Sequence, residues 1–377
     1  MQSITKSTLA AMFAEAGITI NGDKPWDLQV HDERLYPRLA RGRTIAAGES
    51  YVDGWWDCKQ LDELFNRALA RDMDQRLYSL SFAWQRLRNS IFNQQTPVKS
   101  REVANVHYNL GNDLYRAMLG ESMAYTCAYW PEADSLDAAQ FAKYDLVCRK
   151  LGLKPGQKVL EVGSGFGGLA KHMAQHHDCE VVALSIANKP VQYARDLCKG
   201  LPVQFHLCDY RDIGSYNPER AKFDKVVSVG VCEHVGYKNY RTLMEIVRSQ
   251  IQEDGLFLLH TIGGNESKNY TEPWIDKYIF PRGMLPSLKQ LGASMENLFV
   301  VEDLHNFGAD YDKTLMAWHR NFADNWDRFR SQYGERFHRM FSYYLLSCAG
   351  GFRARAMQLW EFVLSPHGVP GGYLTVR

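Results

Sequence analysis

Short apolar runs alternate with amphipathic stretches through the middle of the chain. The apolar runs predict strands and the stretches between them predict helices. One predicted helix ends at about residue 177, and another spans 189–199. The five predicted strands are QKVLEV (157–162), CEVVALS (179–185), PVQFHLC (202–208), FDKVVSVGV (223–231) and GLFLLHTI (255–262). Strands that alternate with helices predict an α/β fold with a doubly wound, mostly parallel sheet.

The two ends of the chain carry different patterns. Residues 1–95 predict a small, mainly helical N-terminal domain, in which the segment 26–40 is expected to contain a strand. Residues 96–105 are polar and aperiodic, which predicts a linker, so that 106–377 form the second domain. A length of 377 residues also favours two domains. Beyond residue 265 an aromatic-rich segment precedes further helices and a late strand near 297–303.

The balance of charge and polarity indicates a globular protein. Lys and Arg number 44 and Asp and Glu number 43, so the formal net charge of +1 gives no reason to expect nucleic-acid binding. No apolar run reaches the roughly 18 residues of a membrane-spanning helix. The start, MQSITKSTLAAMFAEAG, predicts an amphipathic helix rather than a signal peptide.

The eight cysteines are scattered along the chain without a C-x-x-C pair. This spacing makes a disulfide framework or a metal cluster unexpected, so we predict no metal site. Reduced thiols in a cytoplasmic protein are the expectation.

A glycine-rich loop follows the first strand of the predicted sheet, at Gly163, Gly165, Gly167 and Gly168. Such a strand–turn–helix loop lets the backbone approach a nucleotide-like ligand closely. Nicotinamide sites usually place an acid at the end of the second strand, where this chain has Ser185. Glu161 instead occupies the acidic position of the loop found in S-adenosylmethionine-dependent methyltransferases, which favours that cofactor.

Polar residues follow three further strands of the predicted sheet. Asp209 and Tyr210 come after the third strand, where they are expected to flank an adenine ring. Glu233 follows the fourth strand and His260 ends the fifth. Because ligands bind at the carboxyl ends of such strands, Glu233 and His260 are expected to converge on one small polar ligand.

From the residues alone, Glu233 and His260 remain open to three roles. They are suited to acid/base chemistry, to metal ligation, or to the binding of a polar cofactor. Their neighbours Cys232 and His234 are interpreted as packing residues, since a free cysteine is commonly buried.

The chain resembles the family of bacterial cyclopropane-fatty-acyl-phospholipid synthases. The motifs that carry the resemblance run through nearly the whole chain in family order. They are GESYVDGWWDC (48–58), HYNLGNDLYRAML (107–119), MAYTCAYW (123–130), VLEVGSGFGGLA (159–170), CDYRD (208–212), SVGVCEHVGYKNY (228–240), LLHTIG (258–263), PWIDKYIFPRGMLPS (273–287), HNFGADYDKTLMAW (305–318) and RMFSYYLLSCAGGFRAR (339–355).

The resemblance implies a class I methyltransferase sheet and an N-terminal domain used for lipid engagement and dimer contacts. It also implies transfer of a methylene from S-adenosylmethionine to the cis double bond of a phospholipid acyl chain, through a carbocation and with bound bicarbonate as base. A peripheral position on the cytoplasmic face of the inner membrane and a homodimer are expected. The alternatives are a methyltransferase that leaves a branched methyl product and a non-catalytic lipid-binding protein.

The resemblance also assigns site residues. The implied bicarbonate positions are Cys127 (through its backbone), Glu233, His260, Ile262 and Tyr311, and Cys348 matches an active-site cysteine. The implied cofactor positions are Tyr125, Thr126, Leu160, Glu161, Gly163, Ser164, Gly165, Gly167, Gly168, Ser185, Asp209 and Tyr210. We interpret Glu233 and Tyr311 as positioning groups, His260 as a donor to the ion, and Cys348 as wall rather than nucleophile.

Two features bear on these roles. Pro190 replaces a glutamine that often contacts the cofactor in this family. The aromatic segment 273–287 is expected either to meet lipid, with Lys277 and Arg282 at headgroups, or to cover the acyl tunnel with Trp274 and its neighbours.

Overall fold

The computed structural model describes residues 6–73, 93, 95–96, 111–217 and 221–377. The chain divides into two compact units, neither continuous in sequence. The N-terminal unit comprises residues 1–92, 270–281 and 311–357, and the sheet unit comprises residues 93–269, 282–310 and 358–377. The sequence analysis placed residues 270–281 and 311–357 in the same domain as the sheet, whereas in the structure both segments belong to the N-terminal unit. The predicted linker lies outside the described residues except for residue 96, and its boundaries stay predictions.

The described residues contain thirteen α-helices, nine strands and two 3-10 helices. The strands are β1 (Gln29–Val30), β2 (Trp56–Asp57), β3 (Lys158–Val162), β4 (Glu180–Ser185), β5 (Val203–Leu207), β6 (Phe223–Val229), β7 (Ile251–Gly264), β8 (Val300–Asn306) and β9 (Met357–Ser365). The first helices are α1 (Lys6–Glu15), α2 (Leu35–Val52), α3 (Leu61–Leu69), α4 (Asn112–Leu119), α5 (Leu136–Leu151), α6 (Gly168–His176) and α7 (Asn188–Leu197). The others are α8 (Cys232–Val235), α9 (Tyr240–Gln250), α10 (Pro273–Tyr278), α11 (Leu288–Met295), α12 (Ala309–Asp324), α13 (Arg330–Arg353) and the 3-10 helices Tyr210–Ser215 and Trp326–Arg328.

The sheet unit contains a seven-stranded sheet in the order β5-β4-β3-β6-β7-β9-β8. The pairs β5–β4, β4–β3, β3–β6 and β6–β7 are parallel, and β8–β9 is antiparallel. All five strands predicted in the middle of the chain are present, and the predicted late strand corresponds to β8. The expectation of a doubly wound, mostly parallel sheet is therefore confirmed.

Helices cover both faces of this sheet, which is why its central strands are almost continuously apolar. On one face, residues of α5, α6 and α7 pack with Val159 of β3 and Val227 of β6. On the other face, residues of α9 and α11 pack with Leu160 and Val226. Successive residues of one strand thus bury their side chains in opposite layers.

The N-terminal unit is mainly helical, and an aromatic cluster lies in its core. The ring of Tyr343 lies 5.4 Å from Tyr51, 5.3 Å from Phe65 and 4.6 Å from Trp274, between ring centroids. Trp274 is fully buried. Part of the aromatic segment 273–287 is therefore core in this unit.

Two local expectations differ from the structure. The segment 26–40 contributes only the two residues of β1, because an 18-residue helix, α2, begins at Leu35. Pro37 is compatible with that helix since it lies in the first turn, where the missing N–H has no intrahelical partner. The sequence analysis also missed β9, in which Glu361 interrupts the apolar run from Leu359 to Leu364. No helix among the described residues is long and apolar enough to span a bilayer.

Close packing of α13 against α3 depends on Gly350. A Cβ atom at this position would lie 2.4 Å from the carbonyl oxygen of Asp62 and 2.8 Å from the backbone nitrogen of Asn66. Backbone atoms cannot rotate aside, so we expect Gly350→Ala to destabilise the protein by about 1–3 kcal/mol. The control is Gly292→Ala in α11, where a Cβ meets nothing within 4 Å, and a gain of roughly 0.5–1 kcal/mol is expected. Chemical denaturation measures both, and equal effects of the two substitutions would contradict the packing argument.

Candidate functional site

The glycine loop joins β3 to α6 in a conformation that requires glycine at two positions. Gly163 and Gly167 have φ values of +88° and +85°. A Cβ at Gly163 would lie 2.1 Å from Cγ2 of Val231, and one at Gly167 would lie 2.7 Å from Cβ of Ala194. The loop backbone is therefore packed tightly on its neighbours, and the absence of side chains at these two positions allows a ligand to approach the main chain.

Buried polar atoms without hydrogen-bond partners accompany this loop. Among the described residues, no partner exists for Oε2 of Glu161, Oγ of Ser164 or the hydroxyl of Tyr210. Burial raises the pKa of Glu161 to about 8. Since buried polar atoms are normally paired, these three atoms fit a polar ligand at the carboxyl ends of the strands.

Asp209 is already engaged. Its carboxylate accepts hydrogen bonds from Nε and Nη2 of Arg211, both at 2.7 Å, and from the backbone N–H of the same residue. Ser185 accepts a hydrogen bond from the backbone N–H of Ala187, and Leu160 is buried in the core. The structure thus places the predicted cofactor residues of β3, β4 and the β5 end along one sheet, with Asp209 held in a fixed orientation.

The segment 125–127 is held by two polar side chains of α5 that the sequence analysis missed. Gln140 Nε2 donates to the carbonyl oxygen of Thr126 at 2.9 Å, and Lys143 Nζ donates to its hydroxyl at 2.8 Å. The ring of Tyr125 lies 5.5 Å from that of Tyr115, and Cys127 is fully buried. Burial lowers the pKa of Lys143 to about 8. The sequence feature that could have revealed these contacts is Lys143, a lysine on the face of α5 that is buried.

Glu233 lies in α8, the short helix that follows β6. Its Oε1 accepts a hydrogen bond from the backbone N–H of Ile262 at 2.7 Å, while Oε2 is buried and has no partner among the described residues. Burial raises the pKa of Glu233 to about 7, although the N–H of Ile262 opposes the shift. This carboxyl group is therefore protonated to a substantial extent near neutral pH.

His260 lies on β7 and is held by a buried carboxylate. Its Nδ1 is 2.9 Å from Oε1 of Glu361, and the other oxygen of Glu361 is 2.7 Å from Nζ of Lys150. The side chains of Glu361 and Lys150 are 0% exposed. Lys150 is also 3.0 Å from Nδ1 of His305. A chain of polar contacts thus connects α5, β7, β8 and β9.

The charge state of this chain follows from its burial and pairing. Burial alone would raise the pKa of Glu361, but the hydrogen bond from His260 and the charge of Lys150 outweigh it and lower the pKa to about 2. Burial lowers the pKa of His260, so the imidazole is neutral. Because the carboxylate can only accept, the ring proton lies on Nδ1 and a lone pair lies on Nε2. Nε2 is buried and has no partner among the described residues.

The structure brings Glu233 and His260 to neighbouring strand ends, as expected. Val229 of β6 pairs with His260 of β7, and α8 follows directly. Two buried polar atoms, Oε2 of Glu233 and Nε2 of His260, remain for a ligand. A protonated carboxyl group and an imidazole lone pair can hold a small oxyanion that carries its own hydroxyl group.

Cys232 is buried and its neighbour His234 is partly exposed, and both are densely surrounded by protein atoms that disfavour charge. Burial lowers the pKa of His234 to about 4 and raises that of Cys232. A neutral imidazole and a protonated thiol are what packing residues require, in agreement with the interpretation from sequence.

Tyr311 and Cys348 belong to the N-terminal unit. The ring of Tyr311 stacks on Phe352 at 4.5 Å. Cys348 retains some surface exposure, yet protein atoms surround it densely, and this burial raises the pKa of its thiol to about 12. A thiol so resistant to ionisation suits a wall residue better than a nucleophile. The site roles predicted for both residues stay predictions.

A protein-family model described as mycolic acid cyclopropane synthetase matches residues 95–362. The chain belongs to this family. It is accordingly an S-adenosylmethionine-dependent methyltransferase, which confirms the resemblance and the fold class expected from the sequence.

Similar proteins include enzymes that act on fatty acyl chains. The chain is 45% identical to the cyclopropane-fatty-acyl-phospholipid synthase of Escherichia coli K12 over 371 residues, which are 97% of this chain and 94% of that protein. It is 36% identical to a probable fatty acid methyltransferase of Pseudomonas putida, over 70% of this chain and 68% of that protein.

Solved structures of the same fold include two cyclopropane synthases. The mycolic acid cyclopropane synthase CmaA1, complexed with SAH and CTAB, is 27% identical with a TM-score of 0.64, and the match covers 70% of this chain and 97% of that one. The cyclopropane synthase MmaA2 of Mycobacterium tuberculosis is 24% identical, also with a TM-score of 0.64, over 70% of this chain and 97% of that one. The latter supports the fold alone.

The buried pair of Lys150 and Glu361 is expected to stabilise the sheet unit strongly. Removing one partner leaves the other charge uncompensated, so Lys150→Met and Glu361→Gln should each cost about 3–5 kcal/mol, and the double variant less than their sum. Because the pKa of Glu361 lies below its ordinary value of 4.5, its contribution is present above pH 4.5 and is lost as the pH falls toward 2.

Chemical denaturation of the four proteins at neutral and acidic pH measures this coupling. The matched control is Arg149→Met, which removes an exposed pair with Asp145 and should cost under about 1 kcal/mol. Strictly additive losses in the double variant would show that the two side chains do not interact.

Proposed function

We propose that this protein transfers a methylene group from S-adenosylmethionine to the cis double bond of unsaturated acyl chains in membrane phospholipids, which forms a cyclopropane ring. The 45% identity to the E. coli enzyme across 97% of this chain carries the proposal. Two buried polar atoms on Glu233 and His260, which have no partner in the part of the chain that the structure describes, support it, because ring closure needs a base held at the strand ends.

The residues at this position fit a bicarbonate ion. When bound, bicarbonate supplies the base that accepts the proton lost during ring closure. Protonated Glu233 donates a hydrogen bond from Oε2 to an anion, while its Oε1 stays fixed by the N–H of Ile262. Neutral His260 presents a lone pair on Nε2, which accepts from a ligand hydroxyl. We therefore assign His260 an acceptor role, in place of the donor role suggested by the sequence.

The remaining predicted residues complete the proposal. We assign the backbone N–H of Cys127 as a further contact to the ion. The resemblance to the family supports Tyr311 as a positioning group and Cys348 as a wall residue whose thiol does not react. Cofactor binding is assigned to the glycine loop with Glu161, and to Tyr125, Thr126, Ser185, Asp209 and Tyr210 (in that set, Asp209 acts with its Arg211 partner).

We propose that the enzyme is a cytoplasmic homodimer that reaches its substrate peripherally, at the inner face of the membrane. The described contacts change which surface residues support that access. Trp274 is buried, so it fits an acyl-covering wall better than a headgroup surface. The side chain of Lys277 pairs with Glu49 at 2.7 Å but is 53% exposed, which fits a surface position. In α1 only Leu9 is buried, and its apolar residues are not gathered on one face, which weakens its expected role as an amphipathic contact.

The substrate assay is incubation of the full chain with labelled S-adenosylmethionine and vesicles of unsaturated phosphatidylethanolamine. We expect labelled lipid whose acyl chain gains the mass of one CH₂ group and resists hydrogenation, since a ring replaces the double bond. Boiled enzyme and saturated vesicles are the controls. A labelled chain that still takes up hydrogen indicates a branched product with an alkene, and no lipid label contradicts the enzyme proposal.

We expect Glu233→Gln to lower turnover by about 10–100-fold with little change in cofactor affinity, because an amide N–H is a weaker hydrogen-bond donor to the ion than a carboxylic acid O–H. Steady-state rates and calorimetric titration with S-adenosylhomocysteine separate the two quantities. The raised pKa of Glu233 also means that the wild-type protein loses stability as the pH rises from about 4.5 to 7, and the variant should lack this component. Normal turnover together with lost cofactor binding would contradict the assigned role.

A further inference from the structure

A second cluster of potential ligands lies on the helices that cover one face of the sheet. Cys148 is on α5, His172 is on α6, and His177 immediately follows α6. One ligand atom from each, the Sγ of the cysteine and a ring nitrogen of each histidine, lies within 4.8 Å of the others. Residue spacing alone did not reveal this cluster, because Cys148 lies 24 residues before His172 and on a different helix.

The polar atoms of His172 receive no compensation for their burial from the residues that the structure describes. Both ring nitrogens of His172 are buried and have no hydrogen-bond partner within the described ranges. An unpaired buried polar group typically costs about 1–3 kcal/mol. A ring nitrogen of His172 is therefore available to a ligand.

The chemistry of the three groups suits one class of ion. A thiolate with two neutral imidazoles is a typical ligand set for Zn²⁺, with bonds of about 2.0–2.3 Å and tetrahedral geometry. Ligand atoms within 4.8 Å of one another require only a small inward rotation of the side chains to reach such bonds. Asp145, one turn before Cys148 on α5, is already paired with Arg149 at 2.6 Å, so a water molecule completes the tetrahedral set.

We propose that Cys148, His172 and His177 form a binding site for a thiophilic divalent cation such as Zn²⁺, which clamps α5 to the end of α6. Binding replaces the S–H bond of Cys148 with an S–metal bond and releases the proton to solvent. This replaces the expectation from the sequence that the chain has no metal site.

The position of the site makes its role structural. The glycine loop lies at the start of α6, whereas His172 is the fifth of its nine residues and His177 follows its end. With a rise of about 1.5 Å per residue, His172 lies about 6 Å and His177 about 13 Å along the helix axis from Gly168, so at least one helical turn separates the ion from the cofactor loop. We therefore expect metal binding to stabilise the α5–α6 layer without contributing to the reaction.

Titration of the reduced, metal-free full chain with Co²⁺ tests the site directly. Tetrahedral Co²⁺ bound to a thiolate gives a charge-transfer band in the near ultraviolet and a visible d–d band, and we expect both to saturate at one equivalent and to disappear on addition of Zn²⁺. The partly exposed His177 is the first position to change, and His177→Ala should weaken Co²⁺ binding by about 10-fold or more. His176→Ala is the matched control, because His176 contacts His172 but is not one of the three ligands.

A second readout covers variants that fold poorly. Cys148→Ala should abolish the charge-transfer band, and Zn²⁺ should raise the unfolding temperature of the wild type and of His176→Ala but not of His177→Ala. Absence of a thiolate band in the wild type overturns the proposal. Unchanged Co²⁺ affinity in His177→Ala overturns it as well, whatever the lipid assay shows.

Discussion

The site depends most on the contacts that the buried carboxylate of Glu361 makes with Lys150 and His260. This carboxylate lies in the dry interior, where a charge is tolerated only with a partner, and it has two: Lys150 at 2.7 Å and His260 at 2.9 Å. Because these residues come from β9, α5 and β7, one buried charge fixes three elements against each other. The contact with Glu361 also fixes the ring proton of His260 on Nδ1. The tautomer of this histidine is therefore set by a residue of β9.

The strand ends therefore hold polar atoms that the fold itself leaves unpaired. Glu233 and His260 are each bound on one side, by Ile262 and Glu361, and each has a buried atom on the other side with no partner among the described residues. Because one polar atom of each side chain is already hydrogen-bonded, the other atom is held in place for a ligand without further reorganisation. Such preorganisation is how electrostatic interactions become effective in enzyme sites.

Sequence reasoning recovered what local pattern determines. Apolar runs of the right length identified β3 to β7, and the rule that ligands bind at the carboxyl ends of parallel strands identified Glu233 and His260. It missed Glu361 and Lys150 because their pairing spans 211 residues, and a charged residue within an apolar run argues locally against a buried strand. It also grouped residues 311–357 with the sheet, since nothing in a helical pattern indicates which core it joins.

The protonation states of Glu233 and His260 explain why a bound oxyanion suits the proposed reaction. An ionised glutamate beside a carbocation would risk alkylation, and an ionised glutamate beside bicarbonate would repel it. Burial raises the pKa of Glu233 to about 7, which favours the neutral acid when an anion is adjacent, because the anion raises that pKa further. With His260 also neutral, the protein contributes hydrogen bonds rather than charge. The base strength then remains on the small ion, and the side chains that hold it are poor targets for the cation.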